Sequence, residues 1–145
     1  RVSRGGEGEE RAGLDRLRSR LGLRERVTLA GHQENPYPFM AHADLFVSSS
    51  RYEGSPYAVL ESLACGTPVL AFDAPGGTGE ILREGRNGWL VPAEDTAAMA
   101  ARLIDVTRSR AWERLDTERL LPPEHACGSA VRAYETLLLG CAGRR

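Results

Sequence analysis

The chain has 145 residues, 41% of them hydrophobic, which is a single-domain length with enough apolar material to bury a core and excludes a disordered chain. Its 19 basic and 20 acidic residues are interspersed and leave a formal net charge of -1, so the basic stripe that a nucleic-acid footprint needs is absent. No apolar run approaches the roughly 18 residues of a membrane span, no signal-peptide pattern opens the chain, and Cys65, Cys127 and Cys141 have spacings that suit neither a disulfide framework nor a zinc site.

These exclusions leave a soluble globular domain of a reducing compartment, expected in the cytoplasm. Every basic residue is arginine, which fits a GC-rich coding bias better than a site. The only methionines are Met40 and Met99, so a natural start is expected upstream of Arg1.

In chain order, Leu14, Leu17 and Leu21 at three- and four-residue steps predict an amphipathic helix over Glu9 to Leu21, closed by Gly22. Val27 to Ala30 reads as a short buried strand ended by Gly31, and Pro36 to Ala43 as a short helix with proline near its start. Leu45, Phe46 and Val47 form a second apolar strand. The helix that follows is expected to be capped by Ser55, with Pro56 at its first position, Val59, Leu60 and Leu63 on its apolar face, and Gly66 and Pro68 ending it. Val69 to Phe72 makes a third strand. After the Asn87-Gly88 turn signal, Trp89 to Val91 makes a fourth. Asp95 is expected to cap an alanine-rich helix through about Val106, with further helices around Ala111 to Leu121 and Glu124 to Leu139. Solid apolar strands alternating with helices predict an α/β fold, a doubly wound parallel sheet of Rossmann-like type.

Ligands of such sheets sit beyond the carboxyl ends of the strands. The candidates are therefore Gly31 to Gln33, Ser48 to Ser55, and Asp73 to Thr78. The middle segment enters a helix N-terminus, where free N–H groups and a partial positive charge suit a phosphate. Glu53 and Glu61 frame it. On one continuous helix they would lie about 80° apart and some 12 Å along the axis. The break at Gly54 and Pro56 places Glu53 in the loop instead, so that both can face one ligand. Carboxylates that accept paired hydroxyls are good sugar or ribose binders. A solvated loop charge at Glu53 and a solvent-facing helix residue at Glu61 fit the spacing equally. Gly76-Gly77-Thr78 reads either as a phosphate loop or as a Thr78 cap. His32, His42 and His125 show no metal-ligand spacing, and Cys65 fits a small core residue.

The run Arg51-Tyr52-Glu53-Gly54-Ser55-Pro56 through Glu61-Ser62-Leu63-Ala64-Cys65-Gly66-Thr67-Pro68-Val69 closely resembles the signature of glycosyltransferase family 4, of GT-B fold. Matching pieces elsewhere include Asn35-Pro36-Tyr37, Ala43-Asp44-Leu45, Pro75-Gly76-Gly77 with Glu80, and Asn87-Gly88-Trp89-Leu90-Val91-Pro92. The resemblance covers about residues 5 to 108 in consistent order.

The resemblance implies that residues 1–145 are most of the C-terminal, donor-binding domain of a retaining hexosyltransferase, incomplete at its N-terminus and without its acceptor domain. Glu53 would bind hydroxyls of the donor sugar as the catalytic-site residue, in a positioning role. The backbone around Gly54, Ser55, Pro56, Tyr57 and Ala58 would surround sugar and phosphate. Glu61 would hold the nucleotide ribose, and His32 and Gln33 would lie near the base. The partner is a nucleotide-sugar donor. No metal or other cofactor is implied, because in the front-face mechanism ascribed to the family the leaving diphosphate assists deprotonation of the acceptor.

The chain departs from the family in lacking the first strand of that domain, together with the Arg and Lys that clamp the diphosphate after it. An isolated chain is therefore expected to be inactive. Peripheral membrane contact by the full enzyme stays open. So do two alternatives: a stand-alone nucleotide-sugar-binding module without catalysis, and a GT-B-fold epimerase.

Overall fold

The computed structural model describes residues 1–129, 131–133 and 136. In chain order the elements are β1 (Val2–Gly5), α1 (Arg11–Arg20), β2 (Val27–Gly31), α2 (Tyr37–Ala41), β3 (Phe46–Ser48), α3 (Tyr57–Ala64), β4 (Val69–Asp73), α4 (Thr78–Ile81), β5 (Gly88–Pro92) and α5 (Thr96–Ser109). All strand pairings are parallel, in one sheet of order β1-β2 and another of order β3-β4-β5. With helices flanking these parallel sheets, the fold is α/β and Rossmann-like, as expected. The chain divides into two compact units, Arg1–Pro38 and Phe39–Arg145.

The second unit is organised by β4. Successive side chains of a strand point to opposite faces, and here both faces are covered. Val69 and Ala71 enter a cluster with Val59 and Leu63 of α3 and Ile81 of α4. Leu70 and Phe72 enter another with Trp89 and Val91 of β5 and Met99 and Val106 of α5. A strand buried on both sides reads as an uninterrupted apolar run.

Helix ends follow local chemistry. α3 stops at Gly66, whose φ of +79° is the left-handed conformation that glycine adopts without a Cβ penalty. The N–H of Gly66 donates to Leu63 O at 3.1 Å and that of Thr67 to Ser62 O at 3.0 Å, the paired bonds of a Schellman ending. Two buried hydroxyls fix the same corner: Ser62 Oγ donates to Thr67 O (3.0 Å), and Thr67 Oγ1 to Met40 O (2.6 Å). α1 ends in the same way at Gly22. Asp95 caps α5, accepting from the Ala98 N–H at 2.8 Å.

The first unit departs from its amphipathic expectation. Leu17 and Leu21 are exposed, and no α1 residue is fully buried. α1 is held to β2 by arginine instead: Arg18 Nη1 donates to Val27 O (3.0 Å) and Arg11 Nη2 to Leu29 O (3.3 Å). β2 is accordingly half-buried, not buried, with only Gly31 enclosed. β1 is exposed along its whole length; the segment Arg1 to Gly8, which resembles a strand-end glycine turn of the family, thus contains a strand that was not among the expected elements.

Further differences lie toward the end of the chain. The stretch expected as helix over Ala111 to Leu121 forms short 3-10 turns at Ala111–Arg114 and Thr117–Arg119. The stretch expected as helix over Glu124 to Leu139 opens instead in a 3-10 turn at Pro123–His125 and is helical at 127–129, 131–133 and 136. Its remaining positions, 130, 134, 135 and 137–139, lie outside the described residues, as does Cys141.

Asn87, read as a turn residue, is a buried hub. Its Oδ1 accepts from the Arg83 N–H at 2.7 Å, while its Nδ2 donates to Ile81 O (3.1 Å) and Leu120 O (3.0 Å). It thereby ties the β5 approach to Leu120, itself buried in the α3 cluster. Removing the side chain leaves three backbone groups without this partner. Asn87→Ala is expected to cost about 2–4 kcal/mol in denaturant titration, since each buried group left unpaired costs on the order of 1–3 kcal/mol. A loss below about 0.5 kcal/mol, the scale of a neutral surface change, would contradict that assignment.

Candidate functional site

Within the second unit, the β3–α3 and β4–α4 loops begin at the carboxyl ends of two paired strands. The register Phe46↔Val69, Val47↔Leu70 and Ser48↔Ala71 brings those ends level. The loops then join through main chain: the Glu53 N–H donates to Pro75 O at 3.1 Å. Glu53 therefore sits in a loop anchored on its neighbour, outside the helix, as the Gly54 and Pro56 break predicts.

The entry to α3 differs in detail from expectation. Ser55 makes no side-chain cap, and the N-cap position is Pro56. Pro56 has φ -79° and ψ 60°, and Tyr57 N–H donates to Ser55 O at 2.8 Å, which together make an inverse γ-turn. The fixed φ of proline suits that turn and leaves its buried ring as a wedge under the loop. The Pro56 carbonyl then accepts from Leu60 N–H at 3.2 Å and opens the helix. The Tyr57 amide is thus already engaged. Among the described residues, the amides of Gly54, Ser55 and Ala58 donate to no protein acceptor.

Glu61 lies half-buried in the second turn of α3 and Glu53 half-buried in the loop before it. Gly54, Ser55, Tyr57 and Ala58 are exposed. Glu53 and the three unengaged amides thus lie at the entry of α3, with Glu61 one turn further along the helix; free amides at a helix start can donate to an anion. Thr78 does not cap: the N-cap of α4 is Gly77, and Thr78 is buried as the first helical residue.

The other expected residues divide as follows. His32 (exposed) and Gln33 (half-buried) belong to the first unit, where Gln33 Nε2 donates back to Ala30 O at 2.7 Å. Cys65 is half-buried and free at the C-cap of α3. No three His, Cys, Asp or Glu side chains among the described residues come together as a metal site. No helix among them is long and apolar enough to cross a membrane.

The sequence pattern of the family described as "Glycosyl transferases group 1" matches residues 2–109. The chain belongs to that family. Among curated relatives, the lipopolysaccharide core biosynthesis glycosyltransferase LpsE of Rhizobium meliloti is 36% identical over 114 residues, covering 79% of this chain and 33% of the relative. The chain spans about a third or less of the length of the first curated relatives it matches.

Solved glycosyltransferase structures share the GT-B Rossmann-like fold. Sucrose-phosphate synthase from Thermosynechococcus elongatus superposes with a TM-score of 0.71 at 27% identity, covering 96% of this chain and 38% of that one. Anabaena HepE in complex with UDP-glucose superposes with a TM-score of 0.68 at 26% identity, covering 81% and 34%.

One charged pair also links loops at this end of the sheet: Arg51 Nε lies 3.5 Å from Glu94 Oε2, with side chains 82% and 63% exposed. Exposed pairs of this kind contribute little. Arg51→Ala is expected to shift the unfolding free energy by less than about 0.5 kcal/mol. A clearly larger loss in a denaturant titration would contradict that.

Proposed function

We propose that this chain is the donor-binding part of a retaining glycosyltransferase of family 4, which transfers a hexosyl group from a nucleoside-diphosphate sugar to an acceptor hydroxyl. The observation that carries this reading is the α3 entry, where the amides of Gly54, Ser55 and Ala58, just after the half-buried Glu53, donate to no protein acceptor among the described residues. The complexed relative HepE, with UDP-glucose bound, supports the choice of ligand class.

In this reading the three amides and the helix N-terminus take the diphosphate and the sugar edge, with a dipole contribution of roughly 0.3–1 kcal/mol when exposed. Glu53 accepts donor-sugar hydroxyls. Glu61 accepts the ribose hydroxyls. Beside a diphosphate, two anions are tolerable only if they meet hydroxyls. Fixed donors at the leaving phosphate supply transition-state stabilisation, with no nucleophilic side chain and no metal or organic cofactor in the scheme. His32 and Gln33 are assigned to the base as a separate proposal on the first unit. The acceptor is taken by a domain outside this chain, and the whole enzyme works in the cytoplasm or at the inner face of the membrane.

Calorimetric titration with UDP, GDP and ADP and their glucose conjugates tests the assignment. Glu61→Ala is expected to weaken both nucleotide and nucleotide sugar about tenfold to a hundredfold, the scale of one or two charged hydrogen bonds. Glu53→Ala is expected to weaken only the sugar conjugate. Equal affinities for both variants and the parent would sink the two roles.

A further inference from the structure

We propose that Gly76 is a positioning residue for the donor-sugar site: the Pro75-Gly76 main chain is the rest on which Glu53 is held, and it admits no side chain. This deepens the reading of Glu53 as the acceptor of sugar hydroxyls and rests on it.

The contact is two-sided. The Glu53 N–H donates to Pro75 O at 3.1 Å. On its other side, a Cβ built on Gly76 would fall on the Glu53 carbonyl group, and would lie 3.3 Å from its Cα. Everything it meets is backbone, so no flexible side chain can swing away. Gly76 also has φ +114°, a conformation that side chains rarely adopt.

The N–H and the carbonyl of Glu53 therefore both lie against the Pro75-Gly76 main chain. Because β3 and β4 are paired in register at their carboxyl ends, this rest lies just beyond two strands fixed against each other and against the core. The exposed Arg51–Glu94 pair cannot do the same work. A carboxylate meant to select one sugar configuration must be held to within a fraction of an ångström, and a main-chain rest does this without placing another charge beside the ligand.

Gly77 supplies a control within the same loop. Its φ of +102° imposes comparable backbone strain on any side chain, yet a Cβ there meets nothing within 4 Å. Gly76→Ala and Gly77→Ala thus share the conformational cost, and only the first displaces Glu53.

The test compares the full chain with both variants. Amide hydrogen exchange at Glu53 is expected to accelerate in Gly76→Ala and stay at the parental rate in Gly77→Ala. In titrations, Gly76→Ala is expected to lose about tenfold in affinity for the nucleotide sugar, the scale of one charged hydrogen bond, while the plain nucleotide is held as before. A merely structural role of Gly76 would weaken both ligands together. Should Gly76→Ala fail to fold, the parent decides by NMR, through the scalar coupling across the hydrogen bond from Glu53 N to Pro75 C′.

Absence of that coupling, unchanged exchange in Gly76→Ala, or equal acceleration of exchange at Glu53 in the two variants overturns the proposal. A parent that shows the coupling and binds no nucleotide sugar overturns the functional reading alone and leaves the rest at Glu53 standing.

Discussion

β4 contributes four buried residues in a row, and each of the two hydrophobic clusters of the second unit takes alternate ones. That double coverage is the constraint on which the rest of this unit depends. Covering one face requires α3 and α4, covering the other requires α5, and both edges are taken by parallel partners. Parallel pairing in turn sends every connection from a carboxyl end, so the β3–α3 and β4–α4 loops start side by side. The position of the candidate site is thus a consequence of how one strand is buried.

Within that frame the site is made chiefly of main chain. A γ-turn at Pro56, a cross-loop bond from Glu53 and the open first turn of α3 leave three amides unengaged just after Glu53. The ionic contribution is slight, as the one cross-loop ion pair described here is largely exposed. A backbone-built site tolerates many side chains around it. Function must therefore be argued from the site and not from the fold.

Much of this was legible in the sequence, for identifiable reasons. β4 and β5 announce themselves as solid apolar runs because both faces are buried. Gly22, Gly66 and Asp95 mark helix ends because each does a single local job, and each does it in the structure. The loop position of Glu53 followed from Gly54 and Pro56 alone.

What was illegible has physical causes too. β1 is exposed throughout, and Val2-Ser3-Arg4 carries no apolar period to read. The cap at Ser55 failed because the proline after it carries the turn one residue further, which propensity alone does not reveal. Asn87 looked like a turn residue because its partners, Ile81 and Leu120, are brought to it only by tertiary structure. The meeting of Gly76 with Glu53 is of the same kind: two glycines in a row signal a turn, and nothing local says which one touches another loop.

The most direct measurement is amide chemical-shift mapping of the full chain on addition of a nucleoside-diphosphate glucose, with the uridine, guanosine and adenosine forms tried in turn. Perturbations centred on Gly54, Ser55 and Ala58 and extending to Glu53 and Glu61, with one base preferred, are the predicted result. Saturable binding that leaves residues 53–61 unperturbed and moves another surface, such as the exposed side of α5, would contradict it.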